Sequence, residues 1–115
     1  MLSDTRETLS MLQQGQAALK DNLPLIMENF KGFAESVTQD GLLSKKEKEL
    51  IAVAVAVGIR CQPCIANHVK RALECGASVQ EILESCSVAV MMGGGPAVAY
   101  TSYVVKALKE LGAEV

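Results

Sequence analysis

The chain has 115 residues, half of them apolar, a formal net charge of −2, four aromatic side chains and no Trp. That length supports one domain around a single hydrophobic core. Interspersed charges and few stacking rings exclude a nucleic-acid partner, which needs a positive face and, for single strands, aromatic platforms.

A first, polar amphipathic helix is predicted over residues 4–19, with Leu9, Met11, Leu12 and Leu19 as its apolar side. Pro24 then suits the first turn of a second helix, where its missing N–H costs nothing. That helix carries Leu25, Ile26, Phe30, Phe33 and Val37, and Asp40-Gly41 ends it. Ser44-Lys45-Lys46-Glu47 is a capping-box pattern and opens the third helix. Its continuation, Leu50 to Val57, alternates Ala and Val. Alone, that alternation fits a strand; the upstream cap and the length of the segment favour a buried helix. Gly58 supplies a C-terminal stop.

The fourth helix starts around Cys61 to Pro63 and stops at Gly76. A second capping box, Ser78-Val79-Gln80-Glu81, opens a fifth helix that runs to Met92. Gly93-Gly94-Gly95 breaks it. Pro96 starts a sixth helix through Leu111, and Gly112 ends that. About six helices with short connections and no credible strand make an all-α single domain over residues 1–115.

The longest apolar run, Leu50 to Ile59, is too short to cross a bilayer. Ser3, Asp4, Arg6 and Glu7 near the start do not suit a signal peptide. No membrane partner and a cytoplasmic location are therefore expected. A mean hydropathy of +0.24 is high for a chain this small. Such surface is commonly hidden between subunits, so a homo-oligomer is expected.

The chemistry concentrates in Cys61-Gln62-Pro63-Cys64 and His68. At 100° per residue, with Cys61 at zero, Cys64 and His68 fall at about −60° and −20°. Ile65, Val69, Ala72 and Leu73 fall between about 20° and 120°. Both thiols and the imidazole thus share one edge of the core-facing stripe, at neighbouring helical positions. Pro63 wants the first turn, which puts Cys61 at the helix N-terminus. Free N–H groups and the positive dipole end lower a thiol's pKa there. A second thiol three residues on can capture the oxidised first one as a disulfide. His68, the only histidine, is placed to move protons to or from a thiol.

Glu49 shares a face with Val53 and Ala56. If the third and fourth helices form an antiparallel hairpin, Glu49 lies level with residues near 69, beside His68. A solvated place in the charged run Lys45 to Glu49 is the competing reading. Cys75 and Cys86 have no thiol at short spacing and read as small hydrophobes of the core. Tyr100 and Tyr103 read as packing residues.

Two other functions compete with dithiol chemistry. One is a metal-binding module, with Cys61, Cys64, His68 and Cys75 as zinc ligands. The other is a non-catalytic helical oligomer. A thioredoxin fold is excluded, because no βαβ pattern surrounds the cysteines.

The spacing Glu49, Cys61, Cys64, His68 resembles the Glu-x11-Cys-x2-Cys-x3-His pattern of alkylhydroperoxidase D-like proteins, in the carboxymuconolactone decarboxylase superfamily. The resemblance covers residues of about 40–110, including Gly76-Ala77-Ser78-x-x-Glu81-Ile82 and Gly93-Gly94-Gly95-Pro96. It implies an all-α fold assembled as trimers or hexamers. It also implies a thiol-dependent peroxidase that needs no cofactor or metal. Its substrate would be a small hydroperoxide, and a dithiol or thioredoxin-like reductant would recycle it. By resemblance, Glu49 and His68 form a proton relay serving Cys61 and Cys64. The helix terminus favours Cys61 as the attacking thiol and nearness to His68 favours Cys64; the balance leans to Cys64, with Cys61 resolving. One departure is Pro63, where the best-known peroxidase members carry His between the cysteines; it bears on reduction rate and leaving-group protonation. The decarboxylase branch lacks the cysteine pair, which argues against lactone decarboxylation.

Overall fold

Two capping boxes set the geometry of the molecule. In the computed structural model, which describes residues 4–115, Ser44 and Ser78 accept from the N–H groups of Glu47 and Glu81. Each glutamate reaches back to the serine N–H. These boxes start α3 (Lys45–Gly58) and α5 (Val79–Gly93). A 2.9 Å ion pair from Lys46 to Glu81 ties the two starts together. The remaining elements are α1 (Thr5–Asn22), α2 (Pro24–Val37), α4 (Gln62–Glu74) and α6 (Gly95–Glu110). No strand occurs among the described residues.

Helices α3 to α6 form the body. Helix α3 packs on α4 and α5, and α6 closes against α4 and α5. The core between them is small and aliphatic: Val53, Val57, Ile65, Val69, Ile82, Val104 and Leu108 are fully buried. The Ala/Val segment is helical because its cap starts it and its Val53, Ala56 and Val57 face this core.

The end of α3 departs from the expected stop. Gly58 is its last helical residue, and the left-handed position falls two residues later, on Arg60 at φ 60°. Cys61 N–H bonds the Ala56 carbonyl at 3.0 Å and Arg60 N–H bonds that of Val57 at 3.2 Å. This is the paired closure of a Schellman turn, usually given to Gly. Gly76 at φ 87° closes α4 in the same way, as expected from sequence. Of the three consecutive glycines only Gly94 lies outside a helix.

Helix α1 runs longer than expected, to Asn22. Asp4 caps it, and Thr5 fastens it to the last turn of α6. The Thr5 hydroxyl and backbone N–H donate to Glu110 Oε1 at 2.6 and 2.7 Å. Helix α2 packs on α1 and buries none of its own residues. Phe30 and Phe33 stay 58% and 66% exposed.

Candidate active site

The turn at Arg60 does two jobs with one residue. Cys61 N–H completes the closure of α3, while Cys61 itself is the N-cap of α4. Its sulfur accepts the Cys64 N–H at 3.3 Å, as a serine hydroxyl would at another helix start. Pro63 sits within the first turn. Helices α3 and α5 carry Glu47 and Glu81 in their first turns, but α4 has no acidic residue there. The positive end of α4 is therefore left to the sulfur, which lowers the cost of a thiolate.

Cys61 and Cys64 are joined by a disulfide, with Cα atoms 5.2 Å apart. Both residues are half-buried, and Cys64 packs against the core. His68 lies one turn beyond Cys64 on the same edge of α4.

The hairpin brings the acid to this edge. From the Ala56–Cys61 contact, seven residues back along α3 reach Glu49 and seven forward along α4 reach His68. Two helical turns on each side keep the pair level. Glu49 Oε1 and His68 Nδ1 lie 2.7 Å apart. Glu49 is buried at 1% exposure, while the His68 side chain keeps 27%. A buried carboxylate is costly without a partner, and this imidazole is the partner. The bond also leaves Nε2 as the histidine's other hydrogen-bonding position. The solvated reading of Glu49 does not hold.

Two cysteines remain free. Burial raises the Cys86 thiol to about 11, against a small opposing bond from Ser85, so it stays protonated and inert at neutral pH. Cys75 caps the C-terminus of α4 and is half-buried rather than part of the core. Tyr100 and Tyr103 pack against the core, ring centroids 5.4 Å apart. Among the described residues, no three His, Cys, Asp or Glu side chains converge so as to hold a metal ion. Arg60 had no sequence signal, since the left-handed turn it makes is ordinarily marked by glycine.

Residues 24–110 match the model of the carboxymuconolactone decarboxylase family. An uncharacterized protein of Cupriavidus necator is 36% identical over 102 residues, spanning 89% of this chain and 90% of its own. An uncharacterized protein of the cox locus of Paracoccus denitrificans is 40% identical over 86 residues, spanning 75% and 78%. Among solved structures, a carboxymuconolactone decarboxylase family protein from Legionella pneumophila superposes with a TM-score of 0.89 at 35% identity, covering 92% of this chain and 95% of its own. A Thermotoga maritima member of that family, with a suggested part in an antioxidative response, superposes at 0.80 with 27% identity, covering 90% and 88%.

Proposed function

Since the chain belongs to the carboxymuconolactone decarboxylase family, we propose that it is a thiol-dependent peroxidase of the alkylhydroperoxidase D-like kind. The observation that carries this reading is the Glu49–His68 pair at 2.7 Å, one helical turn from a disulfide-forming cysteine pair. The suggested antioxidative part of the Thermotoga maritima relative points the same way.

The cycle begins from the reduced protein. The Cys64 thiolate attacks the terminal oxygen of a hydroperoxide. The O–O bond breaks, Cys64 becomes a sulfenic acid, and the departing alkoxide takes a proton from His68. The Cys61 thiolate then attacks the sulfenic sulfur. The S–S bond forms, hydroxide leaves, and protonation makes it water. An external dithiol attacks Cys61, displaces Cys64 as a thiolate that His68 protonates, and leaves oxidised. In sum, one hydroperoxide and one dithiol give an alcohol, water and one disulfide. Glu49 holds the imidazole in place and exchanges protons through Nδ1.

Several further features belong to this reading. The exposed apolar face of α2 suits a homo-oligomer, a trimer or hexamer. The reductant is a small dithiol or a thioredoxin-like protein, and the location is cytoplasmic. Among the described residues no helix is long and apolar enough to cross a membrane.

Peroxide consumption with a dithiol reductant tests the proposal. Cys61→Ser and Cys64→Ser should abolish turnover. Glu49→Ala and His68→Ala should lower it by roughly 10²–10⁴, the usual worth of positioned acid–base groups. Turnover that survives Cys64→Ser and Cys61→Ser would exclude the dithiol cycle.

A further inference from the structure

Glu49 faces two ways. One oxygen, Oε1, is engaged by His68. Among the described residues no buried side-chain nitrogen or oxygen lacks a partner, and the Glu49 side chain bonds no residue but His68. Its second oxygen must therefore meet solvent, although the residue is 1% exposed. A cleft of about 410 Å³ between α1 and the α3–α4 hairpin has Glu49 in its lining. Leu12 and Gln13 of α1 form the outer wall. Cys61, Cys64 and His68 are not part of its lining. The cleft thus touches the acid and misses the Cys61–Cys64 pair, so it is no place for a hydroperoxide to meet the dithiol.

The charge around the cleft is distinctive. Lys45, Lys70 and Arg71 line it, and none makes an ion pair among the described residues. Glu74 and Cys75 complete the titratable groups facing it. A net positive, wet passage concentrates small anions. Weak-acid oxyanions are also the efficient carriers of protons near neutral pH.

We infer that this cleft is a proton inlet to Glu49, served by small oxyanion acids and separate from the face where sulfur meets its substrates. With the bridging proton on Oε1 and the ring proton of His68 on Nε2, a proton delivered from the cleft to the second carboxyl oxygen is matched by the one that passes from Oε1 to Nδ1. His68 then releases its Nε2 proton toward the thiol side, and no electrons move. The relay can be recharged while a peroxide or reductant still covers the disulfide. This inference rests on Glu49 and His68 acting as a relay, and not on the identity of the oxidant.

The single histidine makes the test direct, because its ring N–H resonance needs no assignment beyond composition. The full-length oxidised protein is studied by NMR without peroxide, so a chain lacking peroxidase turnover still tests the inlet. Solvent exchange of the proton bridging Glu49 Oε1 and His68 Nδ1 is measured in phosphate and in imidazole buffer at equal pH. Phosphate should accelerate it more, and Lys70→Gln/Arg71→Gln should erase that difference. Plugging the outer wall by Gln13→Trp, or independently by Leu12→Trp, should slow exchange about tenfold or more, since access limits it. Unchanged rates in both plugged variants, with phosphate no better than imidazole, would overturn the inlet.

Discussion

Glu49 shows how one buried charge organises its surroundings. At 1% exposure its carboxyl has His68 as its side-chain partner, so truncating the imidazole leaves it only what water the cleft supplies. His68→Ala should cost about 3 kcal/mol in urea unfolding, the low end for breaking a buried pair because His68 keeps some water. Adding Glu49→Gln should recover part of the loss, since the stranded charge is then gone. Arg60 makes the opposite case. Its φ of 60° suits glycine, and a side chain there costs roughly 1–2 kcal/mol. Arg60→Gly should therefore raise stability by about 1 kcal/mol after the greater unfolded-state entropy of glycine is counted. Lower stability in that variant would mean that the guanidinium makes a contribution outweighing the backbone. The thiol spacing, the proline and the histidine were legible in the sequence because all lie on one helix. The inward turn of Glu49 was legible in the face it shares with Val53 and Ala56, and its place beside His68 in the hairpin register. Arg60 was not legible at all: Gly58 offered itself as the stop, but Cys61 has to serve both helices, and that tertiary demand moved the left-handed residue.

At the scale of elements, local signals and contacts agree closely. Serine–glutamate boxes, prolines in first turns and glycines after last turns gave the helix order, and the structure uses nearly all of them. The attachment of α1 left no such mark, since it joins residues 105 positions apart. Glu110 is held at about 2, below its ordinary 4.5, first by the Thr5 hydroxyl, then by the Thr5 N–H, with Lys106 adding less. A carboxyl depressed by folding contributes stability that is complete above its unfolded value and lost as pH falls through the folded one. Protection of α1 amides from hydrogen exchange should therefore decline from about pH 4.5 toward 2. In Glu110→Gln it should be weak already at neutral pH. Equal protection in both proteins would show that the latch does not hold α1.

At the scale of the whole molecule, one helix leaves its apolar side chains uncovered. Helix α2 buries no residue, while Leu25, Ile26, Phe30 and Phe33 are each more than half exposed. Helices of this length are marginal alone, and tertiary packing normally supplies their stability. A second copy of the chain is the partner that this reading gives α2. Phe30→Glu/Phe33→Glu should yield a smaller species by analytical ultracentrifugation and lose helical signal for roughly one short helix. An unchanged mass would place the contact elsewhere. Here the sequence was informative and incomplete for one reason. Apolar periodicity marks a face suited to packing, but not what packs on it.

The dithiol itself is tested most directly by counting. Reduced protein, with all four cysteines free, is mixed with one equivalent of an organic hydroperoxide, and its remaining thiols are titrated and mapped by mass spectrometry. Two thiols should vanish together, leaving Cys75 and Cys86 free and Cys61 linked to Cys64. A loss confined to one sulfur, ending as sulfinic acid with its neighbour still reduced, would contradict the account.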